Sequence, residues 1–215
     1  MTSDHPAFTR VYAVISALGE RTGLGALRES VLSSAAGRLL IVGLGPGHDL
    51  DHLPPAVTSV VALDPSATMR EAAQARVDAT RRRGIGIDLL SAPAEAIPLA
   101  DASVDAVLVA YVLCSVDDPG RALAEIRRVL RPRGTLHVLE HVRAEPGTWV
   151  AKLQRAVRPW WPRLAGGCQV DRRTGTLLEQ AGFDLSDISR TSLMALPPVS
   201  PTIVGVSRLR DGVVS

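Results

Sequence analysis

Short runs without polar residues constrain this chain more than any other feature. Leu-Leu-Ile-Val stands between Arg38 and Gly43, Val-Val-Ala-Leu between Ser59 and Asp64, and a longer apolar stretch runs from Asp105 to Val116. Runs of this kind are strands buried on both faces, which need cover above and below. Ile85 to Leu90 is a weaker candidate strand, and Thr135 to Glu140 a further one. Helical patterns lie between them. One covers Ala67 to Arg82. Another is capped by Asp117 or Asp118, carries Leu123, Ile126, Val129 and Leu130 on one face, and is stopped by Pro132 and Gly134. Strands alternating with helices predict an α/β domain: a doubly wound, mostly parallel sheet with helices on both faces. Residues 6–34 read as two helices broken between Gly19 and Gly25. The segment from Trp149 to Leu164 is helical with breaks at Pro159 and Pro162, Asp171 is a candidate cap for a helix ending at Gly182, and Phe183–Ser189 and Thr202–Leu209 are two final strands.

The chain has 215 residues, and its 46% hydrophobic and 21% charged residues suit one folded domain with a real core. A net charge of +2 gives no field to hold nucleic acid, and 3% aromatics is poor for base stacking. Two cysteines, Cys114 and Cys168, make no disulfide framework, so a cytoplasmic location is expected. The start, MTSDHPAFTR, places Asp4 where a signal peptide has positive charge, and the run from Ala106 to Val116 is too short to span a bilayer. No integral membrane segment is expected.

The first strand ends in Gly43-Leu-Gly45-Pro-Gly47, and the second ends in Asp64, 17 residues beyond Gly47. Glycines at such a turn let the backbone approach a ligand, and an acid at the next strand end accepts ribose hydroxyls. Together they predict a nucleoside site. The third glycine is one residue early for a nicotinamide dinucleotide. Asp49, close behind the loop, is expected to repel a pyrophosphate and tolerate an ammonium group. That favours S-adenosylmethionine (SAM).

Five segments, LLIVGLGPG, VVALDPSATM, SAPAEAIPLADASVDAVLVAYVLCSV, the helix ending VLRPRG, and TLHVLEHV, stand in the order found in class I SAM-dependent methyltransferases, and the chain resembles that family from about His5 to Arg208. LCSV (Leu113–Val116), LEHV (Leu139–Val142), Trp149 and GGCQVDRRT (Gly166–Thr174) resemble one branch. It comprises the small alkyl-thiol methyltransferases of animal endoplasmic reticulum and their uncharacterised bacterial relatives. The animal members carry an N-terminal anchor, which this chain is expected to lack. The resemblance implies a seven-stranded Rossmann-like sheet with an antiparallel last strand. It divides the chain into a helical lid over 1–36, a cofactor-binding core over 37–142 and substrate-side helices and strands over 143–215. It also implies SAM as cofactor and S-adenosylhomocysteine as product. Gly43, Gly45 and Gly47 would hold the methionine part, Asp64 the ribose, and Pro65 and Met69 the adenine. Ala94 and Glu95 would lie along the adenine edge, with Tyr111 and Leu113 beside the sulfonium. Two family acids are replaced, by Ile41 and Pro93. Those losses keep open a cyclase or pericyclase that does not use the methyl group.

Methyl transfer needs alignment and exclusion of water. Glu140 and His141, at the end of the fifth strand, are the catalytic candidates: His141 as base and Glu140 as an orienting group. Cys114 is expected to be a small buried hydrophobe. Cys168 belongs to a loop over the pocket, and Arg172 and Arg173 read as solvated charges. His48 and His52 are four apart, but Pro54 and Pro55 leave no helix to hold a metal, and none is expected. His137 is structural. Phe8, Val11, Tyr12, Ile15 and Leu18 form an apolar stripe expected to pack, with Tyr12 reaching the cofactor as part of the lid. Trp149, Trp160 and Trp161 are candidates for an acceptor wall or a dimer contact. The expected activity is methyl transfer to a small, apolar acceptor by a monomer or homodimer. Sulfur is the favoured acceptor atom, with oxygen and nitrogen open. A non-catalytic partner subunit is the remaining alternative.

Overall fold

The apolar runs become the centre of the sheet because each presents alternate residues to opposite faces. The computed structural model describes residues 6–193 and 197–210. In it, β1 (Gly37–Val42), β2 (Val57–Leu63), β3 (Gly86–Leu90), β4 (Val104–Ala110) and β5 (Leu130–His141) are parallel neighbours. The sheet closes with β6 (Ile188–Ser192) and β7 (Pro201–Ser207), in the order β3-β2-β1-β4-β5-β7-β6, and β7 runs antiparallel to both its neighbours.

Leu40, Val42, Val61, Leu63, Val107 and Val109 face one side, where α4 (Pro119–Val129) and α7 (Thr174–Gln180) supply Leu123, Ile126 and Leu178. Leu39, Ile41, Val60, Ala62 and Leu108 face the other, against Val31 and Leu32 of α2 (Gly25–Leu32) and Ala73 and Val77 of α3 (Ala67–Arg82). Both faces are thus dry, as a parallel sheet requires. Ile41 is one of these core residues, so the family's acid is replaced by packing. His137, on the α2 side of β5, is fully buried and bonds the carbonyl of Val31 at 2.6 Å, the structural role expected of it.

Several boundaries differ from expectation. β4 stops at Ala110, not Val116, because Tyr111 takes φ 60° and the chain turns. The apolar run continues as a buried turn. β5 begins at Leu130, directly after α4. The helices α1 (Pro6–Gly19) and α2 are joined through a π-helical turn, Glu20–Leu24, with helical backbone at Gly19 and Gly25, so the glycines do not break them apart. The cap of α4 is Asp118, which accepts from the Arg121 amide at 2.9 Å. Asp171 does not cap α7, whose first residue is Thr174; it lies 3.7 Å from Arg158 instead. Phe183 is buried but makes only an isolated bridge to Leu209, and β6 starts later, at Ile188. Two helices, α5 (Trp149–Val157) and the short α6 (Trp161–Leu164), fill the segment expected to be broken by prolines. Among the described residues no helix is long and apolar enough to cross a membrane.

Candidate active site

The order of the sheet reverses at β1, which has β2 on one side and β4 on the other, so the crevice opens at the carboxyl ends of β1 and β4. There the glycine loop folds back on β2. The amides of Gly43 and Leu44 donate to the Leu63 carbonyl, at 2.8 and 3.0 Å. The Gly45 amide donates to Asp64 Oδ2 at 2.8 Å, and Oδ1 accepts from the Ser66 amide at 2.9 Å. Arg70 holds the Asp64 carbonyl at 2.6 Å. Gly43 must be glycine, since a β-carbon there would lie 2.4 Å from Val112 Cγ2. Among the described residues, a β-carbon at Gly45 would meet only Tyr12 Cε1, at 4.0 Å. The open face of the loop is therefore Gly45, with Tyr12 of α1 over it. A loop open at Gly45 with a buried, pre-aligned Asp64 beside it fits a nucleoside carrying an amino-acid tail.

The junction of α1 and α2 is held by charge. Arg28 of α2 donates to Glu20 at 2.8 Å and pairs with Asp49, and both Arg28 and Asp49 are buried. Burial alone would lower the Arg28 pKa, but Asp49 and then Glu20 outweigh it and raise it. Asp49 is therefore a neutralised partner, not the free repulsive charge expected from its place after the loop. Burial pushes the Tyr12 hydroxyl up to about 12, so it stays protonated. His48 faces Ser16 Oγ at 3.1 Å and His52 faces Glu20 at 3.3 Å, so these two imidazoles have separate partners. The apolar stripe of α1 does not pack as expected: Ile15 is 54% and Leu18 64% exposed. The side chains of Phe8 and Val11 lie outside the described residues.

At the end of β4 the turn after Tyr111 is pinned by Glu140. Its Oε1 accepts from the amides of Val112 and Leu113 at 2.7 and 2.8 Å, while its Oε2 is buried with no hydrogen-bond partner among the described residues. Burial raises the Glu140 carboxyl to about 7 against the pull of His141 and the two amides. Leu113 is buried with its carbonyl, like that of Val116, held by Arg172. Arg172 is thus a clamp on this turn rather than a solvated charge. The Gln169 amide donates to the Cys114 carbonyl at 2.8 Å, stitching the loop after α6 onto the same turn.

That stitching brings three side chains together. Cys168 Sγ lies 3.4 Å from His141 Nε2, and the ligand atoms of Cys114, His141 and Cys168 all lie within 4.8 Å of one another. The Tyr111 ring leans on His141, with centroids 4.8 Å apart. A hydrogen bond from Cys114, and then His141, hold the Cys168 thiol well below its ordinary value despite burial. Donation to Cys168, together with burial, pushes Cys114 up. Burial would lower His141, but the hydrogen bond and charge of Cys168 outweigh it. Trp161 packs against this cluster, while Trp149 is 64% exposed and Trp160 half-exposed.

Other expected residues are more scattered. Pro65 is exposed and Met69 half-buried near the cap of α3. Ala94 is buried in the core, and Glu95 Oε1 accepts from the amides of Asp117 and Asp118 at 3.0 and 3.2 Å. Two residues of the site had no signal in the sequence reading. Arg28 sits in an unremarkable helix. Gln154 of α5 is buried and bonds Ala144, Val142 and Pro198, tying α5 to the chain leaving β5. Cys114 is buried, as expected of a small hydrophobe, and it also stands beside His141 and Cys168.

Human thiol S-methyltransferase TMT1B is 33% identical over 177 residues, covering 81% of this chain and 72% of that protein. This chain belongs to the SAM-dependent methyltransferases. Human thiol S-methyltransferase TMT1A is 34% identical over 82% of the chain and 72% of its own length, and the family model described as a methyltransferase domain matches residues 40–138. Among solved structures, a SAM-dependent methyltransferase from Thermotoga maritima, described as a possible histamine N-methyltransferase, superposes with TM-score 0.67 over 95% of this chain and 98% of that one, at 20% identity. The [4+2]-cyclase SpnF superposes with TM-score 0.60 at 28% identity over 78% of this chain, which spans 58% of the cyclase's length.

Proposed function

We propose that this methyltransferase transfers the methyl group of SAM to the sulfur of a small, apolar thiol. The observation that carries the reading is the Cys114–His141–Cys168 cluster at the ends of β4 and β5, beside Tyr111. The likeness to thiol S-methyltransferases points the same way. SAM supplies a methyl group already activated on a sulfonium. Gly45 and Asp64 would hold the donor, with Tyr12 above and Tyr111 and Leu113 lining the crevice. A thiol attacks as its thiolate, and its unperturbed pKa of about 8.5 leaves only a modest ionisation for the protein to assist. That ionisation takes place at the cluster, while Glu140 positions the turn that carries Cys114. Cys114 and Cys168 serve reduced, which suits a reducing compartment. Incubation of the chain with SAM and a panel of alkyl thiols, phenols and amines tests the reading. Thioether and S-adenosylhomocysteine should form in equal amounts with thiols. Turnover confined to phenols or amines would move the acceptor to oxygen or nitrogen. Binding of SAM with no methylated product from any of these would favour a cyclase-type use of the fold.

A further inference from the structure

Two buried thiols and an imidazole, brought to one point from three separate segments, are a soft ligand set. Cys114 comes from the turn after β4, His141 from the end of β5, and Cys168 from the loop after α6. Tetrahedral zinc, with bonds of about 2.3 Å to sulfur and 2.0 Å to nitrogen, separates two sulfurs by about 3.8 Å and sulfur from nitrogen by about 3.5 Å. The Cys168–His141 separation is 3.4 Å, and all three atoms lie within 4.8 Å of one another, so no segment has to move far. The frame is already built: Gln169 bonds the Cys114 carbonyl, and Arg172 bonds the carbonyls of Leu113 and Val116. Charge agrees as well. Two thiolates neutralise a dication, which removes the cost of burying either alone.

We propose that Cys114, His141 and Cys168 form a three-ligand site for a divalent cation of the zinc class, with a fourth position open to the sulfur of the acceptor thiol. Three protein ligands with one open position are the arrangement of catalytic rather than structural zinc. On loading, each cysteine S–H bond breaks, a sulfur–metal bond forms, and two protons leave to solvent. Entry of an acceptor R–SH repeats the exchange: its sulfur binds the metal as thiolate and one proton is released, because a metal-coordinated thiol is deprotonated outright. His141 is then a ligand and not the free base expected from its position. The fourth-ligand part rests on the thiol reading above; the metal site itself does not.

The test uses the full chain, reduced with a phosphine and stripped with a chelator. Titration with cobalt(II) should give one ion per chain, with thiolate-to-cobalt charge-transfer absorption in the near ultraviolet and tetrahedral bands in the visible, both displaced by zinc(II). Cys114→Ser, Cys168→Ser and His141→Gln should each weaken binding by more than about 100-fold, beyond the loss of an outer-shell partner. The half-buried His141 keeps the test informative if a buried cysteine variant fails to fold, and S-adenosylhomocysteine binding checks that each variant is intact. Adding ethanethiol to the cobalt form should strengthen the charge-transfer band; an unchanged band would overturn the open fourth position. A chain that binds S-adenosylhomocysteine but gives no cobalt bands would overturn the site. So would a mass lower by two hydrogens with no metal uptake after reduction, which would make the pair a disulfide. Thiol methylation at full rate by the stripped chain would overturn the metal's role and leave the thiol reading standing. Cobalt bands without thiol turnover would do the reverse.

Discussion

The Gly45 amide and Asp64 Oδ2 are 2.8 Å apart, so the tip of the glycine loop and the acid at the next strand end are one unit. Asp64 therefore orients the loop as well as facing the crevice. Removing it as Asp64→Ala should cost about 10- to 100-fold in affinity for SAM and S-adenosylhomocysteine, since a hydrogen bond to a charged group is worth about 1.5–3 kcal/mol. Calorimetric titration reads this directly, and unchanged affinity would remove Asp64 from the cofactor site.

Two glycines of one loop should respond differently to alanine. Gly43→Ala places a β-carbon against Val112 and strains a residue at φ 71°. Its cost is about 2–4 kcal/mol from left-handed strain and overpacking, so its melting temperature should fall even without ligand. Gly45→Ala at φ 53° bears the strain but no clash. Its cost is about 1–2 kcal/mol, and its larger effect should be lost cofactor affinity. Melts with and without S-adenosylhomocysteine separate the two; equal ligand shifts in both variants would contradict the assignment of Gly45 as the open face.

His137 supplies a pH dependence. Its Nδ1–H donates to the Val31 carbonyl at 2.6 Å, and its Nε2 lies 2.9 Å from Thr135 Oγ1. Burial lowers its pKa from 6.5, although the Val31 bond opposes this. The unfolded chain then binds a proton that the folded chain does not, so stability falls as pH drops below 6.5 toward the folded value. Urea unfolding between pH 7.5 and 5 should show this decline, with a shallower slope for His137→Gln. An identical slope in both would exclude His137 as its source.

Asp49→Ala should destabilise the packing of α1 and α2 against the glycine loop. It leaves Arg28 buried with Glu20 as its one acidic partner among the described residues, and breaking one side of a buried pair costs about 3–5 kcal/mol. Retention of Glu20 puts the expectation at the lower end. Chemical denaturation checks it, and a loss under about 1 kcal/mol would mean that water reaches Arg28 and the pair is not sealed.

Much of the fold was legible because its signals are local. A run such as Leu39–Val42 is apolar at every position, and the structure explains why: Leu40 and Val42 meet α4's side of the sheet while Leu39 and Ile41 meet α2 and α3. Glycines followed at the next strand end by Asp64 are likewise close in sequence, and the doubly wound order makes them close in space. The same logic misjudged β4, because a buried turn is as apolar as a strand. Glu140, by accepting two amides, and Arg172, by holding two carbonyls, let residues 111–113 leave the sheet with Leu113 still buried.

The amino-acid sequence by itself determined the alternation of strands and helices, the two faces of the sheet and the pairing of the glycine loop with an acid at the next strand end, because periodicity and short spacing are properties of neighbouring residues. Tertiary structure alone decided that Arg28 would neutralise Asp49, and that Cys114, His141 and Cys168 would meet. Those three stand 27 residues apart in each step along the chain. Nothing in a local pattern couples them; they converge only because the loop after α6 is hydrogen-bonded onto the turn after β4, at the end of the strand that carries His141.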